Sequence, residues 1–467
     1  MTFAYRYSKH LMISTAVCAF IGMMLVMKPG PSSLERVLSR GELVVITRPS
    51  STTYYHDQYG PTGMEYELAK GFAESLGVGL RLLESDDLNY IQYAIRKGTA
   101  DMAAAGLVAT ESRQEKLAFA RPYQQVDTLL VRRISDPRIQ DISQLSGKRI
   151  AVAADTSHAE LIESFQQRYP DVELIPVENA TPELLLALVE NREIDHTLIN
   201  SNSFSLQRTL YPELVADHVV AQEQPLAWAF NPRDDESLLL AAQRYLTRAN
   251  ANGTLAKLED RFYGHMELFD FYSARSFMHH LADRLPRYEE TFKQAAQETG
   301  FDWRLLAALG YQESHWNPRA VSPTGVRGIM MLTNITAREM GIRDRTDPTQ
   351  SIMAGAHYLR HVHDRIPASV PEPDRTWMAM ASYNVGFGHV MDARRLTARQ
   401  GGDPDVWEDV NERLPLLANR AYRNQLRYGN ARGGQAVVYV RHIRRYYDLL
   451  IWSETSRRSS TMVALAD

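Results

Sequence analysis

The chain has 467 residues, of which 44% are apolar and 23% are charged, and its formal net charge is −4 at pH 7. A chain of this length is expected to form two or three domains. The slightly acidic balance gives no reason to expect nucleic acid as a partner, and no charge run predicts a disordered tail. Its single cysteine, Cys18, excludes a disulfide within the chain.

The first thirty residues (1–30) have the pattern of an export signal. Arg6 and Lys9 precede an apolar run over residues 11–27. A positively charged start followed by such a run is typical of a signal peptide. Because the run is close to the shortest stretch that spans a bilayer, an uncleaved N-terminal anchor is the second interpretation. Both interpretations place the remainder of the chain outside the cytoplasm.

Strand and helix patterns alternate after the leader. Strands are predicted at 41–48, 80–84, 100–107, 149–154, 172–177 and 194–199, and helices at 64–76, 90–98, 157–169 and 181–190. Such alternation predicts parallel sheets covered by helices. The elements form two sets joined through residues 122–133, which predicts a two-lobed α/β domain.

Four fragments of this region carry a resemblance to a known family. They are GMEYELAKGFAESLG (63–77), KGTADMAAAGLVATESRQEKLAFARPY (97–123), LSGKRIAVAADTS (145–157) and ENREIDHTLIN (190–200). In this order they resemble periplasmic solute-binding proteins of the amino-acid type, over roughly residues 40–265. The resemblance implies a ligand cleft between the lobes, in which Arg113 holds a ligand carboxylate.

Physical arguments favour the same cleft, because open α/β sheets bind ligands at the carboxyl ends of their strands. The guanidinium group of Arg113 offers the planar fork that a carboxylate needs. A surface salt bridge with Glu111 or Glu115 explains Arg113 equally well. Thr156 and Ser157 stand at a strand-to-helix junction, where hydroxyl and free backbone N–H groups favour an anion.

Two further features bear on the ligand. Tyr54 or Tyr55 is expected to supply an aromatic wall. Asn200 stands where amino-acid binders commonly carry an aspartate for the α-amine of the ligand. The cleft is therefore expected to take a peptide, a muropeptide or another cell-wall fragment at least as readily as a free amino acid.

The pattern changes from Gly264 onward, where the sequence becomes aromatic and helical in period. This change predicts a boundary near residue 268, with one domain at 31–268 and a second at 269–467. No Gly/Ser-rich or Pro-rich linker joins them, so the two domains are expected to touch. Helices are predicted at 285–299, 302–314, 333–340, 350–365, 374–383 and 435–450.

The helix predicted at 302–314 projects an acid from its apolar face. Asp302 is placed to cap this helix. Glu313 follows Leu306 by seven residues and Leu309 by four, so the three side chains share one face. A carboxyl group with apolar neighbours has a raised pKa, as a general acid near neutral pH requires. Periodicity alone favours a simpler interpretation, in which Glu313 marks where a core helix reaches solvent.

Three sequence blocks favour the general-acid interpretation of Glu313 over the simpler one. They are ESHWNP (313–318), SPTGVRGIMML (322–332) and ASYNVGFG (381–388). In this order they resemble soluble lytic transglycosylase domains, over roughly residues 270–455. The resemblance implies a mainly helical, goose-type-lysozyme-like fold that cleaves the glycan strands of peptidoglycan.

The resemblance also implies a mechanism with one catalytic carboxyl group. Glu313 would protonate the glycosidic oxygen between N-acetylmuramic acid and N-acetylglucosamine while the substrate's own N-acetyl group assists. It would then take the proton of the muramic C6 hydroxyl as that oxygen closes onto C1. The product end is 1,6-anhydromuramic acid, and no water enters.

Five more residues of the blocks are candidates for substrate binding. Ser314 either orients the carboxylate or a sugar group, or caps its helix. Tyr383 and Asn384 offer an aromatic face and an amide, which suit an N-acetyl group. Tyr439, in a later and shorter block, either contacts substrate or packs in the core. Met331 occupies a position where many relatives have a cleft-lining glutamine.

Other polar residues have no motif that assigns them a role. Asp344, Asp347 and Asp392 are the remaining acids near the blocks, and none is predicted as a second catalytic carboxylate. The pair His357 and His361 has helical spacing, but the sequence places no third ligand on that face, so no metal or other cofactor is predicted.

Two alternatives to the transglycosylase remain at this point. One is a sensor that binds cell-wall fragments without cutting glycan. The other is a muramidase that uses water. In location, the resemblance implies a periplasmic protein peripherally attached to a membrane, at the inner leaflet of the outer membrane.

Overall fold

The computed structural model describes residues 30–264 and 271–464. The predicted leader, apart from Gly30, and the boundary predicted near residue 268 lie outside these described residues. Within the described ranges, none of the helices combines the length and the apolar character that crossing a membrane requires.

The secondary structure begins with strands and helices that alternate and ends with helices alone. The strands are β1 (Glu42–Thr47), β2 (Tyr55–Asp57), β3 (Gly60–Thr62), β4 (Gly79–Glu84), β5 (Met102–Ala103), β6 (Ala118–Phe119), β7 (Gln124–Arg133), β8 (Arg149–Ala153), β9 (Glu173–Val177), β10 (His196–Asn200), β11 (Leu214–Leu226) and β12 (Ala229–Phe230). The helices before residue 265 are α1 (Ser33–Arg40), α2 (Met64–Leu76), α3 (Leu88–Lys97), α4 (Glu111–Gln114), α5 (Ser157–Arg168), α6 (Pro182–Glu190), α7 (Ser201–Gln207), α8 (Ser237–Ala251) and α9 (Thr254–Glu259). Those after residue 270 are α10 (Phe271–Asp283), α11 (Glu289–Thr299), α12 (Trp303–Ser314), α13 (Asn334–Glu339), α14 (Pro348–Arg365), α15 (Asp374–Val385), α16 (Phe387–Arg399), α17 (Trp407–Asn411) and α18 (Gly433–Ala464).

The first lobe contains a five-stranded sheet with the order β4-β1-β5-β12-β6. Strand β1 pairs in parallel with β4 and β5, whereas β12 is antiparallel to both of its neighbours. Because helices cover both faces, β1 is an almost unbroken run of buried apolar residues, ELVVIT. The carboxyl ends of β1 and β5 therefore point to the same edge of the sheet, toward the second lobe.

The second lobe contains another five-stranded sheet, with the order β11-β7-β10-β8-β9. Strands β8, β9 and β10 run parallel to one another, and the long strands β7 and β11 pair antiparallel. Since β7 enters this lobe from the first and β11 returns to it, the two strands form the connection between the lobes. The two-lobed α/β domain predicted from the sequence is confirmed.

Helices make up the second domain, as predicted. Helix α12 packs against α11 and α18, and α18 also contacts α15. One hydrophobic core includes Leu185 and Leu186 of the second lobe together with Leu305, Leu306 and Leu309 of α12. The second lobe and the helical domain therefore share a core.

Candidate active site and ligand cleft

Helix α12 carries Glu313 in its last turn. The carboxylate of Asp302 caps the helix by accepting the backbone N–H of Arg304 at 2.8 Å. The helix ends at Ser314, and the next residue, His315, adopts the left-handed conformation with φ of 53°. Leu306 and Leu309 are fully buried, so the apolar face that the sequence predicted anchors the helix and fixes where Glu313 stands.

Glu313 is partly buried, and its carboxyl group contacts a tyrosine from the far end of the chain. The hydroxyl of Tyr439, on α18, donates a hydrogen bond to Glu313 Oε1. Burial raises the pKa of Glu313 to about 7, although the Tyr439 hydrogen bond lowers it in part. A carboxyl group with this pKa exchanges its proton readily at neutral pH.

Tyr383 stands near Glu313 at the end of α15, and Asn384 is the next residue of this helix. Burial raises the pKa of Tyr383 well above its usual range, and the negative charge of Glu313 adds to this rise. The Tyr383 hydroxyl donates to the backbone oxygen of Met330 at 2.9 Å, and Tyr358 meets its ring edge-on. Asn384 is exposed. The aromatic ring of Tyr383 therefore lies near the catalytic candidate, and the exposed amide of Asn384 follows it in the chain.

The glycine block forms a tight loop against this site. Gly328 has φ of 88°, and a Cβ added there would lie 1.8 Å from the carbonyl oxygen of Arg345, so only glycine fits. Met330 is buried against Gly355. Met331 is partly buried and has φ of 45°, which is unusual for a residue with a side chain.

Ser314 joins the catalytic helix to this loop. Its hydroxyl lies 2.8 Å from the carbonyl oxygen of Ile329 and 3.2 Å from that of Gly310, and it accepts the N–H of Asn317. The hydroxyl is thus used within the protein. These contacts link the end of α12 to the glycine loop, and a substrate contact of Ser314 stays a prediction.

The other acids near the blocks have structural partners. Asp347 caps α14, and Asp344 accepts hydrogen bonds from Thr346. Asp392 accepts two backbone N–H groups from residues 427 and 428. Among the described residues, no carboxylate contributes to the pKa shift of Glu313.

The histidines of α14 pair with acids. His357 lies 3.0 Å from Glu298, and buried His363 lies 2.6 Å from Glu372. In the parts of the chain that the structure describes, no group of three histidine, cysteine or acidic side chains could hold a metal ion.

A cavity of about 100 Å³ lies between the two lobes of the α/β domain. Contacts across it join the lobes: Arg48 donates to the carbonyl oxygen of Ala180 at 2.6 Å, and Arg113 donates to that of Asp155 at 3.1 Å. Arg113 is 5% exposed, so it is not a surface residue, and its guanidinium group both lines the cavity and lies 4.0 Å from a carboxylate oxygen of Glu160. Its role in binding a ligand carboxylate stays a prediction.

The residues at the start of α5 also line this cavity. The Thr156 hydroxyl caps α5, since it donates to the carbonyl oxygen of Ala153 at 2.6 Å and accepts the N–H of Ala159. Ser157 is the first residue of the helix, where backbone N–H groups are free for an anion. Both residues thus stand at the predicted junction, but the Thr156 side chain already has protein partners.

Two cavity residues were missed by the sequence interpretation. Arg48 directly follows β1, so the rule that ligands bind at strand ends could have found it. His158 lies 2.9 Å from the side-chain oxygen of Asn200, and burial lowers its pKa to about 4. No pattern in the sequence pairs His158 with Asn200, because only the fold brings them together.

The prediction that Tyr54 or Tyr55 forms an aromatic wall of the ligand cleft is wrong. Tyr54 and Tyr55 line a different cavity, of about 490 Å³, between the α/β and helical domains. The chain turns after β1, so residues 55–62 form the hairpin β2–β3, and the Tyr55 ring meets Trp452 of α18 edge-on. Thr52 and Thr53, just before the hairpin, line the ligand cavity.

This hairpin reaches the helices of the active site. The backbone N–H of Asp302, the cap of α12, donates to Gln58 Oε1 at 2.6 Å. The Tyr59 hydroxyl lies 2.5 Å from Thr376 Oγ1 on α15, the helix of Tyr383. The segment that borders the ligand cavity therefore also touches the two helices that carry Glu313 and Tyr383.

Comparison with known proteins matches both domains. The family profile "Transglycosylase SLT domain" matches residues 290–406, and "Bacterial extracellular solute-binding proteins, family 3" matches residues 43–265. A membrane-bound lytic murein transglycosylase F of Alcanivorax borkumensis is 66% identical over 466 residues, which is 100% of both chains.

Two further relatives carry the same name. The protein of Alkalilimnicola ehrlichii is 49% identical, covering 89% of this chain and 85% of its own. That of Ectopseudomonas mendocina is 44% identical, covering 95% of this chain and 92% of its own. These matches favour neither the sensor nor the muramidase. With a solute-binding domain followed by a transglycosylase domain, and with relatives matched over their length, the chain belongs to the membrane-bound lytic murein transglycosylase F family.

Proposed function

We propose that this lytic murein transglycosylase cleaves the β-1,4 bond between N-acetylmuramic acid and N-acetylglucosamine with Glu313 as its one catalytic carboxyl group. The observation that carries the proposal is the raised pKa of Glu313, about 7, in a partly buried site. At neutral pH a large share of the carboxyl group is protonated and can donate. Its conjugate base is strong enough to accept a proton afterwards.

The Tyr439 hydrogen bond orients that proton. Because Oε1 of Glu313 accepts the Tyr439 hydroxyl, Oε2 is the oxygen that carries the acidic proton toward substrate. As the proton moves to the glycosidic oxygen, the bond from C1 to that oxygen breaks. The carbonyl oxygen of the substrate's N-acetyl group supports the electron-poor C1.

The second half of the reaction restores Glu313. Its carboxylate takes the proton of the muramic C6 hydroxyl, and the freed oxygen forms the bond to C1. The product is a 1,6-anhydro ring, and water is neither consumed nor released. Most glycoside hydrolases use a second carboxylate as nucleophile or base. No carboxylate of the described residues contributes to the pKa shift of Glu313.

Neighbouring residues have proposed roles that follow from their contacts. The Tyr383 hydroxyl already donates to Met330, so its ring face is what remains for the sugar. The exposed Asn384 amide suits the substrate's N-acetyl group. Ser314 fixes the glycine loop relative to Glu313. Met331 provides an apolar wall where a glutamine would provide an amide.

The pH dependence of kcat/KM tests the role of Glu313. We expect kcat/KM to fall as the pH rises above about 7, because the free enzyme then loses the proton it must donate. The Tyr439 hydrogen bond lowers this pKa, so Tyr439→Phe should shift the fall to higher pH. Tyr358→Phe, which removes a hydroxyl beyond the Tyr383 ring, is the matched control and should leave the profile in place. A fall centred near pH 4.5 would contradict the assignment.

For the α/β domain we propose a regulatory ligand that carries a carboxylate and an acylated amine. Arg48 and Arg113 line the cavity between the lobes, and no aspartate or glutamate is among the described residues that line it. Asn200, in the place of the expected acid, accepts a hydrogen bond from His158 through its side-chain oxygen. A free ammonium group would lose its water without gaining a carboxylate partner. A muropeptide or another N-acylated amino acid avoids that penalty.

The hairpin is the proposed link to catalysis. Its flanking residues line the ligand cavity, and Gln58 and Tyr59 contact the helices of Glu313 and Tyr383. A ligand that draws the lobes together would shift the hairpin and thereby the two helices. Coupling of this kind requires only that the ligand prefer one arrangement of the lobes.

Calorimetry with the full-length protein tests the ligand and the coupling together. We expect an N-acetyl amino acid or a muropeptide to bind at least about tenfold more tightly than the free amino acid, because a buried ammonium group lacks a partner. The same ligand should change kcat/KM on glycan strands. Tyr59→Phe should retain the binding heat and reduce that change. Equal or tighter binding of the free amino acid would contradict the proposed ligand class.

We also propose that the protein is periplasmic and peripherally attached to the inner leaflet of the outer membrane. The support is the predicted leader together with the relatives' name, which describes them as membrane-bound. Separation of the two membranes of the producing cell tests this location. Recovery with the inner-membrane fraction would contradict it.

A further inference from the structure

A loop beside the active-site block holds an aromatic ring in solvent. Tyr428 follows the short helix Arg420–Gln425, and it is 50% exposed. Its ring lies directly against the backbone of Gly388, where an added Cβ would come within 2.6 Å of ring atoms. A glycine at position 388 is therefore required for this contact.

A buried carboxylate fixes the position of this ring. Asp392, on α16, is 2% exposed and accepts the backbone N–H groups of Arg427 at 2.9 Å and Tyr428 at 2.8 Å. It is also hydrogen-bonded to the guanidinium group of Arg395. A half-exposed ring adds little burial to the fold. Holding it in one place lowers the entropy cost of binding a partner.

The ring lies within reach of the active site. Gly388 follows the exposed Asn384 by four residues, which span at most about 14 Å of extended chain. Asn384 in turn adjoins Tyr383, whose pKa responds to the charge of Glu313. A few sugar residues of a bound strand cover this distance. The loop also lies beyond residue 406, where the match to the transglycosylase profile ends.

The segment that carries the ring is basic. Residues 420–432 contain no aspartate or glutamate, and they contain the arginines Arg420, Arg423, Arg427 and Arg432. The guanidinium carbon of Arg427 lies 5.9 Å from the centre of the Tyr428 ring, and that of Arg395 lies 5.8 Å from it. An aromatic ring beside two guanidinium groups suits a partner with an apolar ring face and nearby carboxylates.

We propose that Tyr428, Arg395 and Arg427 form a binding site for a peptide-bearing sugar of the glycan strand. The Tyr428 ring stacks on the sugar, and the exposed guanidinium group of Arg427 binds a carboxylate of its stem peptide. Arg395, paired with Asp392, lies beside the ring. Asp392 is a positioning residue that acts through the loop. This site rests on the proposed function, and it predicts that the enzyme prefers glycan strands that still carry their stem peptides.

Kinetics on two soluble substrates test the site. The substrates are glycan oligomers with their stem peptides and the same oligomers after an amidase has removed the peptides. With purified full-length protein, Tyr428→Ala should raise KM about tenfold on both substrates while kcat stays within about twofold, as expected for a lost aromatic contact. Tyr428→Phe should restore the wild-type KM.

The arginine variants separate peptide from sugar. Arg427→Gln should raise KM about threefold to tenfold on peptide-bearing strands only, because a paired guanidinium group is lost. Its backbone N–H still reaches Asp392, so the loop keeps its anchor. Arg423→Gln, an exposed arginine of the same basic segment, is the matched control and should behave as wild type.

Four results would overturn this site, and only the last of them would also overturn the proposed function. If the wild type turns over the substrates, an unchanged KM in Tyr428→Ala would overturn the site and leave the proposed function standing. Equal KM values for Arg427→Gln and Arg423→Gln would do the same. A fall in kcat alone would also overturn the site, because a binding site distant from the scissile bond acts on KM. No turnover of either substrate by wild type would overturn the proposed function and this site with it.

Discussion

Replacing Glu313 with glutamine is expected to reduce kcat/KM by at least about a thousandfold, because the amide has no proton to donate to the glycosidic oxygen. Glutamine has the same shape, and its oxygen can still accept the Tyr439 hydroxyl. The loss should therefore come from chemistry. Glu290→Gln removes a carboxylate whose side chain is 86% exposed in the same domain, and it should leave kcat/KM unchanged.

The same variant should be more stable than the wild type at alkaline pH. The pKa of Glu313 is about 7 in the fold against 4.5 for an ordinary glutamate. The fold therefore favours the protonated form, and its stability relative to the variant is lost as the pH rises from about 4.5 to about 7. Above pH 8 the variant should gain about 2 to 3 kcal/mol, after allowance for partial exposure.

Thermal unfolding of both proteins at pH 4 and pH 8 checks the sign. We expect similar midpoints at pH 4 and a higher midpoint for Glu313→Gln at pH 8. A gain of equal size at both pH values would show that the glutamine stabilises through packing and that the carboxyl group is not desolvated. Retained activity in the variant would remove Glu313 from the mechanism.

The second large effect is expected at Gly328. Gly328→Ala would place a methyl group 1.8 Å from the carbonyl oxygen of Arg345, in a backbone conformation with φ of 88°. The loop must move to relieve this clash, so we expect a loss of at least about 3 kcal/mol in the stability of the helical domain. Because Ser314 binds the same loop, kcat/KM should fall as well.

Gly325→Ala is the matched control for this prediction. Gly325 has nearly the same φ, 82°, but an added Cβ there has nothing within 4 Å. The control carries only the cost of the left-handed conformation, about 1 kcal/mol. Unfolding midpoints that fall equally in the two variants would mean that the contact with Arg345 is not what requires glycine at position 328.

Periodicity predicted the helix of Glu313 well, because its signals are local. A cap at Asp302 and leucines on one face define α12 within a few turns of chain. The Tyr439 contact lies outside the reach of such reasoning, since 126 residues separate it from Glu313. Only the packing of α18 against α12 brings the hydroxyl to the carboxylate. The same holds for His158 and Asn200 in the ligand cleft.

Glycines account for part of what the sequence did not show. Gly386 provides the turn between α15 and α16, with φ of 96°, whereas Gly388 lies within α16 and contacts the Tyr428 ring. The hairpin β2–β3 was not predicted either, because its strands are three residues each and mostly polar. Helix α18 extends beyond the predicted 435–450, to Ala464. Because the hairpin was not predicted, Tyr54 and Tyr55 were assigned to the wrong cavity.

Mass spectrometry of the products released from purified sacculi tests the central claim most directly. The claim is that Glu313 alone carries out both proton transfers without water. The wild-type protein should release fragments that end in 1,6-anhydromuramic acid, and Glu313→Gln should release none. Fragments with reducing ends that are one water molecule heavier would contradict the claim and require a second carboxylate or another base.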